Sequence, residues 1–192
     1  MPQLMLISTT PATYLVHEDS IAALTTASVG LLILRVALGV TIAAHGYGKF
    51  FRGGRLPGTA NWFDSIGMKP GKVHALAAAS TEVGAGLLFA AGLLTSVASA
   101  GFCALMLVAA WTVHRKNGFF IVASGWEYNF VLAIVAIGVA TIGPGRFSLD
   151  HALDVDTHLD GWVGLLISAV GGLAAGTAQL VAFFRPPASA DS

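Results

Sequence analysis

The chain has 192 residues, of which 55% are hydrophobic and only 10% are charged. Soluble domains carry about a quarter charged residues, so these few charges cannot cover a water-soluble globule, and a soluble enzyme is excluded. The formal net charge is zero, so we expect no nucleic acid as a partner.

Five apolar segments follow one another along the chain, and each is close to the length that a helix needs to cross a bilayer. Backbone groups cannot stay unpaired in lipid, and none of the segments alternates as a strand would, so we predict transmembrane helices. Thr95 and Ser96 predict a tight hairpin between the second and third, and Gly143-Pro144-Gly145 ends the fourth. The predicted spans are residues 27–50, 73–94, 95–114, 126–143 and 162–184.

Two segments outside these spans have their own signals. Residues 1–20 contain no lysine or arginine, so they lack the basic start of a secretory signal and are interpreted as an uncleaved tail. Between the first two spans, residues 59–66 fit either a short interfacial helix or a polar loop with a buried tryptophan. The apolar face of the helix would consist of Trp62, Phe63 and Ile66.

The basic residues predict the orientation of the five spans. One side of the membrane receives eight of the ten lysines and arginines, whereas the other side receives Arg146. Basic loops stay in the cytoplasm, which places the N-terminus outside and the C-terminus inside. The eight are Lys49, Arg52, Arg55, Lys69, Lys72, Arg115, Lys116 and Arg185.

Small residues and charges inside the spans indicate contacts between helices. Ser168, Gly172 and Gly176 form one stripe, and Ala77, Thr81 and Ala85 form another; such stripes let helices pack closely. Buried charges are costly without a partner. Arg35 and Glu82 lie about 12 Å and about 18 Å from the same membrane face at 1.5 Å per residue, so we predict an ion pair between them. It is either a structural clasp or a proton-linked or anion-binding centre beside a quinone-sized cavity.

Polar side chains at the basic ends of four spans are expected to converge at one membrane depth. Histidine titrates near neutral pH, so this cluster suits proton transfer to a quinone headgroup. No two of these histidines share one helical face, and we predict no metal site. A rim that binds lipid headgroups is the alternative, and it is preferred for Lys49, Arg115 and Lys116. The cluster contains His45, Tyr47, Lys49, His74, His114, Arg115, Lys116, Glu127 and Tyr128.

Short motifs occur in a characteristic order over residues 27–151. They are Leu34-Arg35-Val36-Ala37-Leu38-Gly39, Ala44-His45-Gly46-Tyr47-Gly48-Lys49-Phe50, Trp62-Phe63, Ile66-Gly67, Glu82 with Gly84 and Gly86, His114-Arg115-Lys116-Asn117-Gly118-Phe119-Phe120, Gly125-Trp126-Glu127-Tyr128 and Gly143-Pro144-Gly145-Arg146-Phe147-Ser148-Leu149-Asp150. In this order and spacing the sequence resembles the DoxX family of small bacterial membrane proteins.

The resemblance implies a four-helix transmembrane bundle, to which this chain adds a fifth C-terminal span. The domains would be an extracytoplasmic tail (1–26), a DoxX-like membrane domain (27–151), and an outer acidic loop, last helix and cytoplasmic tail (152–192). The resemblance further implies a multi-pass protein of the bacterial plasma membrane.

The implied function is a subunit of a quinone-linked oxidoreductase complex, and the resemblance connects such complexes with sulfur or oxidative stress. The alternative is a non-catalytic membrane anchor or assembly protein, and a small transporter is a third interpretation. Quinone is the expected cofactor, with no metal or nucleotide cofactor, and the expected partners are membrane lipid and either a second protein or further copies of the chain. The candidate catalytic residues are His45, Glu82, His114 and Glu127, and the candidate ligand-binding residues are Arg35, Glu82, His45, Lys49 and Tyr128.

Overall fold

The computed structural model describes residues 12–186, with side chains from Ser20 onward. The predicted uncleaved N-terminal tail lies outside the described residues as far as its first eleven residues are concerned. Helices dominate the described part of the chain, where the one isolated β-bridge joins Met68 to Phe184. The helices are α1 (Ala12–Phe51), α2 (Arg55–Ser65), α3 (Gly71–Ala91), α4 (Thr95–Asn117), α5 (Glu127–Ile142), the short α6 (Leu149–Ala152) and α7 (Asp156–Leu159), and α8 (Gly161–Phe183).

Length and composition identify the helices that can cross a membrane. Four are long and apolar enough, namely α1 from Ser20 onward, α3, α4 and α8. Helix α5 is apolar but has 16 residues, or about 24 Å of helix. The chain is therefore an all-α integral membrane protein, as predicted, with four helices of spanning length and the shorter apolar helix α5.

Contacts of the segments before and after α5 show that residues 126–150 run from one end of α4 to the other. Before its first turn, the Trp126 and Glu127 amides donate to carbonyl oxygens of the loop that follows α4, at 3.2 and 2.8 Å. After its last turn, Asp150 accepts hydrogen bonds from the Leu94 and Thr95 amides at the opposite end of α4. Helix α5 thus connects the two ends of α4 despite its length.

Two predicted boundaries differ from the structure. Helix α1 begins at Ala12 rather than at residue 27, because residues 12–26 contain no glycine or proline that would interrupt it. The turn between α3 and α4 uses Gly92 and Leu94 in left-handed conformations, and Thr95 already belongs to α4. A left-handed glycine is a common helix terminator, so α3 ends at Ala91.

The segment between α1 and α3 is the helix α2, which settles the two alternatives left open above. Phe63 is buried and packs with Ala60, Met68, Ala75 and Val108 in a compact apolar cluster. Trp62 stays 44% exposed beside it. Burial of one aromatic side chain stabilises this short helix more than its own backbone hydrogen bonds can.

Glycines set how the long helices pack. A Cβ on Gly86 of α3 would lie 2.6 Å from the Gly39 carbonyl oxygen of α1, so the two backbones touch at this crossing. A Cβ on Gly172 of α8 would lie 2.8 Å from the Ala100 carbonyl oxygen of α4, and Gly176 meets Ala104 in the same way. The glycine stripe of the last span is therefore a packing surface, as predicted.

Candidate functional site

Glu82 forms an ion pair with Lys49 and not with Arg35, so the predicted Arg35–Glu82 pair is wrong. Lys49 Nζ lies 2.6 Å from Oε1 and 2.6 Å from Oε2 of Glu82. The side chains are 24% and 12% exposed, respectively, so the pair is largely but not completely withdrawn from solvent. We call this pair the Lys49–Glu82 site.

The register of α1 against α3 explains the change of partner. The contact between Gly39 and Gly86 brings Arg35 level with Ala90, whose carbonyl oxygen accepts a 3.2 Å hydrogen bond from the guanidinium. Glu82 lies eight residues earlier on α3, or about 12 Å along the helix axis. At its level, a Cβ on Gly46 would touch the Glu82 side chain, and Lys49 follows Gly46 by one helical turn on the same face.

Arg35 belongs to a second cluster at the other end of the bundle. Its side chain is completely buried and also donates a 2.6 Å hydrogen bond to the Phe147 carbonyl oxygen. Asp150, which is 1% exposed, attracts the guanidinium and accepts three hydrogen bonds from Leu94 and Thr95. This Arg35–Asp150 cluster ties α1 and the α3–α4 turn to the segment after α5.

A cavity lies directly beside the Lys49–Glu82 site. Its volume is about 180 Å³, and its walls come from α1, α2, α3, α4 and α8. Apolar side chains form most of the wall, and the charged pair provides its strongest polar groups. The remaining polar side chains are Thr81, Thr112 and Gln179, and the aromatic ones are Trp62 and Phe63.

Helix α4 changes to a π-helical turn where it borders this cavity. The turn covers Ala110–His114, and both Thr112 and Val113 line the wall. Such turns shift the helical face by one residue and are frequent at functional sites.

The last helix supplies the polar group on another part of the wall. Gln179 Nε2 lies 3.1 Å from Nδ1 of His74, a residue of α3 that is only 2% exposed. The His74 ring packs edge-on against Phe183, with 4.9 Å between centroids. Its second nitrogen, Nε2, has no hydrogen-bond partner among the described residues.

The polar residues predicted to converge at the basic end are instead distributed over separate places. His114 Nδ1 lies 2.8 Å from the Ser124 carbonyl oxygen, and Glu127 accepts a hydrogen bond from the Ile121 amide, so both hold the loop before α5. Tyr128 and Tyr47 are 41% and 50% exposed and do not line the cavity. Lys49 and Glu82 are the predicted candidates that do.

His45 is exposed on α1 and belongs to a separate open groove next to α2. Within residues 12–186, no group of three histidine, cysteine, aspartate or glutamate side chains is arranged to hold a metal ion.

The contacts of three residues of these sites were not predicted from the sequence. These residues are Gln179, His74 and Asp150. The spacing of Gly39 and Gly46, seven residues apart on α1, contained a usable signal. It marks a helix face of close approach, but Arg35 and Lys49 both lie on that face, so the spacing does not tell which of them meets Glu82.

The comparisons with known proteins agree with this architecture. The DoxX family model matches residues 30–115. The matched range holds Arg35, Lys49 and Glu82 and stops within α4, so it is narrower than the range 27–151 over which the motifs were recognised. No curated protein and no solved structure matches the chain. The protein is thus a multi-pass membrane protein in which residues 30–115 match the DoxX family model.

Proposed function

We propose that the protein is the membrane subunit of a quinone-linked redox complex in a bacterial plasma membrane. DoxX proteins are often linked to redox-related complexes. The observation that supports the proposal most is an ion pair in the wall of a mostly apolar cavity that helices enclose on several sides. An apolar pocket with a few polar groups is the usual form of a small-molecule site.

The size of the cavity restricts which part of a quinone enters it. Pockets for drug-sized ligands measure about 300 to 1,000 Å³, whereas this cavity has about 180 Å³. A single ring fits such a volume, and an isoprenoid tail would lie outside it, among lipid chains. The proposed ligand group is therefore the ring headgroup alone.

The charged pair supplies the polar chemistry that a quinone ring requires. Reduction of the ring adds two electrons and two protons at its carbonyl oxygens. Lys49 would donate a hydrogen bond to one of these oxygens. Glu82, which is 12% exposed, would take the two protons one after the other from water and deliver them to the oxygens of the reduced ring. With Cys103 as its single cysteine, the chain cannot build a four-cysteine iron–sulfur site, so a partner protein would supply the electrons.

The direction of insertion decides where that partner docks. Residues 49–72, which include α2 and the chain on both sides of it, hold five of the ten lysines and arginines, and basic segments stay in the cytoplasm. We therefore propose that α2 faces the cytoplasm and that the electron donor approaches from that side. A fluorescence or protease test on terminal tags checks this orientation.

A binding titration tests the quinone site directly. The protein in lipid nanodiscs is titrated with a short-tailed benzoquinone, and quenching of tryptophan fluorescence reports binding because Trp62 lines the cavity. Lys49→Met and Glu82→Gln each remove a charged hydrogen-bonding group, for which we expect roughly tenfold or greater loss of affinity.

Lys116→Met is the matched control, since this exposed lysine lies outside the cavity. The control should bind as the unchanged protein does. Absence of binding in the unchanged protein, together with absence of quinone in its native-lipid extract, would count against the proposal.

A non-catalytic anchor is the second candidate, and one observation favours it. Lys49 and Glu82 already satisfy each other at 2.6 Å, so the pair is complete without a ligand. A pull-down from mild detergent separates the two functions. If His45, Glu82 and His114 variants keep both the complex and its activity, the protein is an anchor.

A further inference from the structure

A second, open depression lies between the end of α1 and the start of α2. Its volume is about 570 Å³. We call it the basic groove, because its lining contains three cationic side chains, one histidine and no carboxylate. Its principal residues are His45, Lys49, Arg52, Arg55, Thr59 and Trp62.

The two arginines of the groove have no acidic partner among the described residues. The ion pairs among all residues that the structure describes are Lys49–Glu82 and His151–Asp156. Arg52 and Arg55 are both exposed, and the Arg52 guanidinium lies 5.9 Å from the centre of the Tyr47 ring. Their positive charge is therefore available to a ligand.

The floor of the groove gives a ligand access to these charges. Gly48 and Gly58 both line it, and a Cβ at either position would contact nothing. The missing side chains leave the space between the arginines open.

We propose that the basic groove binds a phosphate group, carried either by an anionic phospholipid or by a free phosphate ion. Arginine guanidinium groups bind phosphate oxygens in pairs of hydrogen bonds, which suits two neighbouring arginines. A lipid also has room for its chains, because Tyr47 borders an apolar groove on the lipid-facing surface of α1 and α3. Exposed Trp62 at the groove edge is typical of the headgroup layer.

This proposal does not depend on the proposed redox function. Arg52 and Arg55 do not line the cavity beside the Lys49–Glu82 site, so their substitution leaves that site intact. Lys49 and Trp62 border both the groove and the cavity, and they are left unchanged in the test for that reason.

The experiment measures binding of three probes to the full chain in detergent. Native mass spectrometry compares phosphatidylglycerol with diacylglycerol, which has the same chains but no phosphate, and calorimetry measures inorganic phosphate. We expect Arg52→Gln and Arg55→Gln each to weaken phosphate-dependent binding about fivefold, and the double variant about 25-fold. Diacylglycerol binding should not change.

Arg115→Gln is the matched control, because Arg115 is an exposed arginine that stacks on Trp111 at 4.3 Å, away from the groove. We expect less than a twofold effect from it. Loss of phosphatidylglycerol binding alone identifies a lipid headgroup, and loss of inorganic phosphate binding identifies a free anion. Equal affinity of the unchanged protein and the folded double variant for both phosphate probes would overturn the proposal.

Discussion

The Arg35–Asp150 cluster and the Lys49–Glu82 site are two ways of keeping charge inside the same bundle. Arg35 is completely buried, and backbone carbonyl oxygens of α3 and of the segment after α5 accept its hydrogen bonds. Lys49 and Glu82 satisfy each other, remain partly exposed and border a cavity. A charge bound to backbone on several elements holds a fold together, whereas a pair with open space beside it can exchange its partner for a ligand.

The largest expected effect comes from Arg35→Met. The substitution removes two hydrogen bonds to carbonyl oxygens and leaves Asp150 without the guanidinium that attracts it. We expect a loss of about 3 kcal/mol in the free energy of unfolding, measured by titration with SDS in mixed micelles. Arg146→Met, an exposed arginine of the same segment, is the control and should cost little. Similar losses in both variants would contradict a structural role of the Arg35–Asp150 cluster.

A smaller effect is expected from Gly86→Ala, which tests the register that separates the two sites. The new methyl group would lie 2.6 Å from the Gly39 carbonyl oxygen, so α1 and α3 must move apart. The expected cost is about 2 kcal/mol in the same unfolding assay. Gly84→Ala adds a methyl group to the same helix where nothing lies within 4 Å, and it should be neutral or stabilising. A neutral Gly86→Ala would show that this contact does not set the register.

The smallest expected effect on stability is that of Glu82→Gln, about 1 kcal/mol. Lys49 is 24% exposed and can turn toward water when its partner loses charge. Lys49→Met should cost more, because it leaves the less exposed carboxylate unpaired. If Glu82→Gln destabilised the protein as much as Arg35→Met, both charged sites would be structural, and the contrast between them would disappear.

The apolar segments were predictable because polar and charged side chains are costly in the hydrocarbon core of a bilayer. Four of the five predicted spans fall on helices of spanning length. The remaining one, residues 126–143, falls on the shorter helix α5. The positions of Arg35 and Glu82 inside the bundle were also predictable, since both interrupt apolar runs.

The partners of the buried charges were not predictable from helix depth. The depth estimate put Arg35 within about 6 Å of Glu82 along the bundle axis, but the glycine contacts between α1 and α3 bring Arg35 level with Ala90, about 12 Å from Glu82. An axial error of about one helical turn is enough to exchange one cation for another. Gln179 and His74 meet although they are 105 residues apart, and nothing local in either segment indicates that contact.

Composition by itself determined that this chain lies in a membrane, because 10% charged residues cannot surround a soluble core. Local sequence determined where its helices run, because each backbone hydrogen bond must close within its own segment in lipid. Only the tertiary structure decided which charges meet and where space remains, because these depend on how closely the glycine faces of α1, α3, α4 and α8 approach one another.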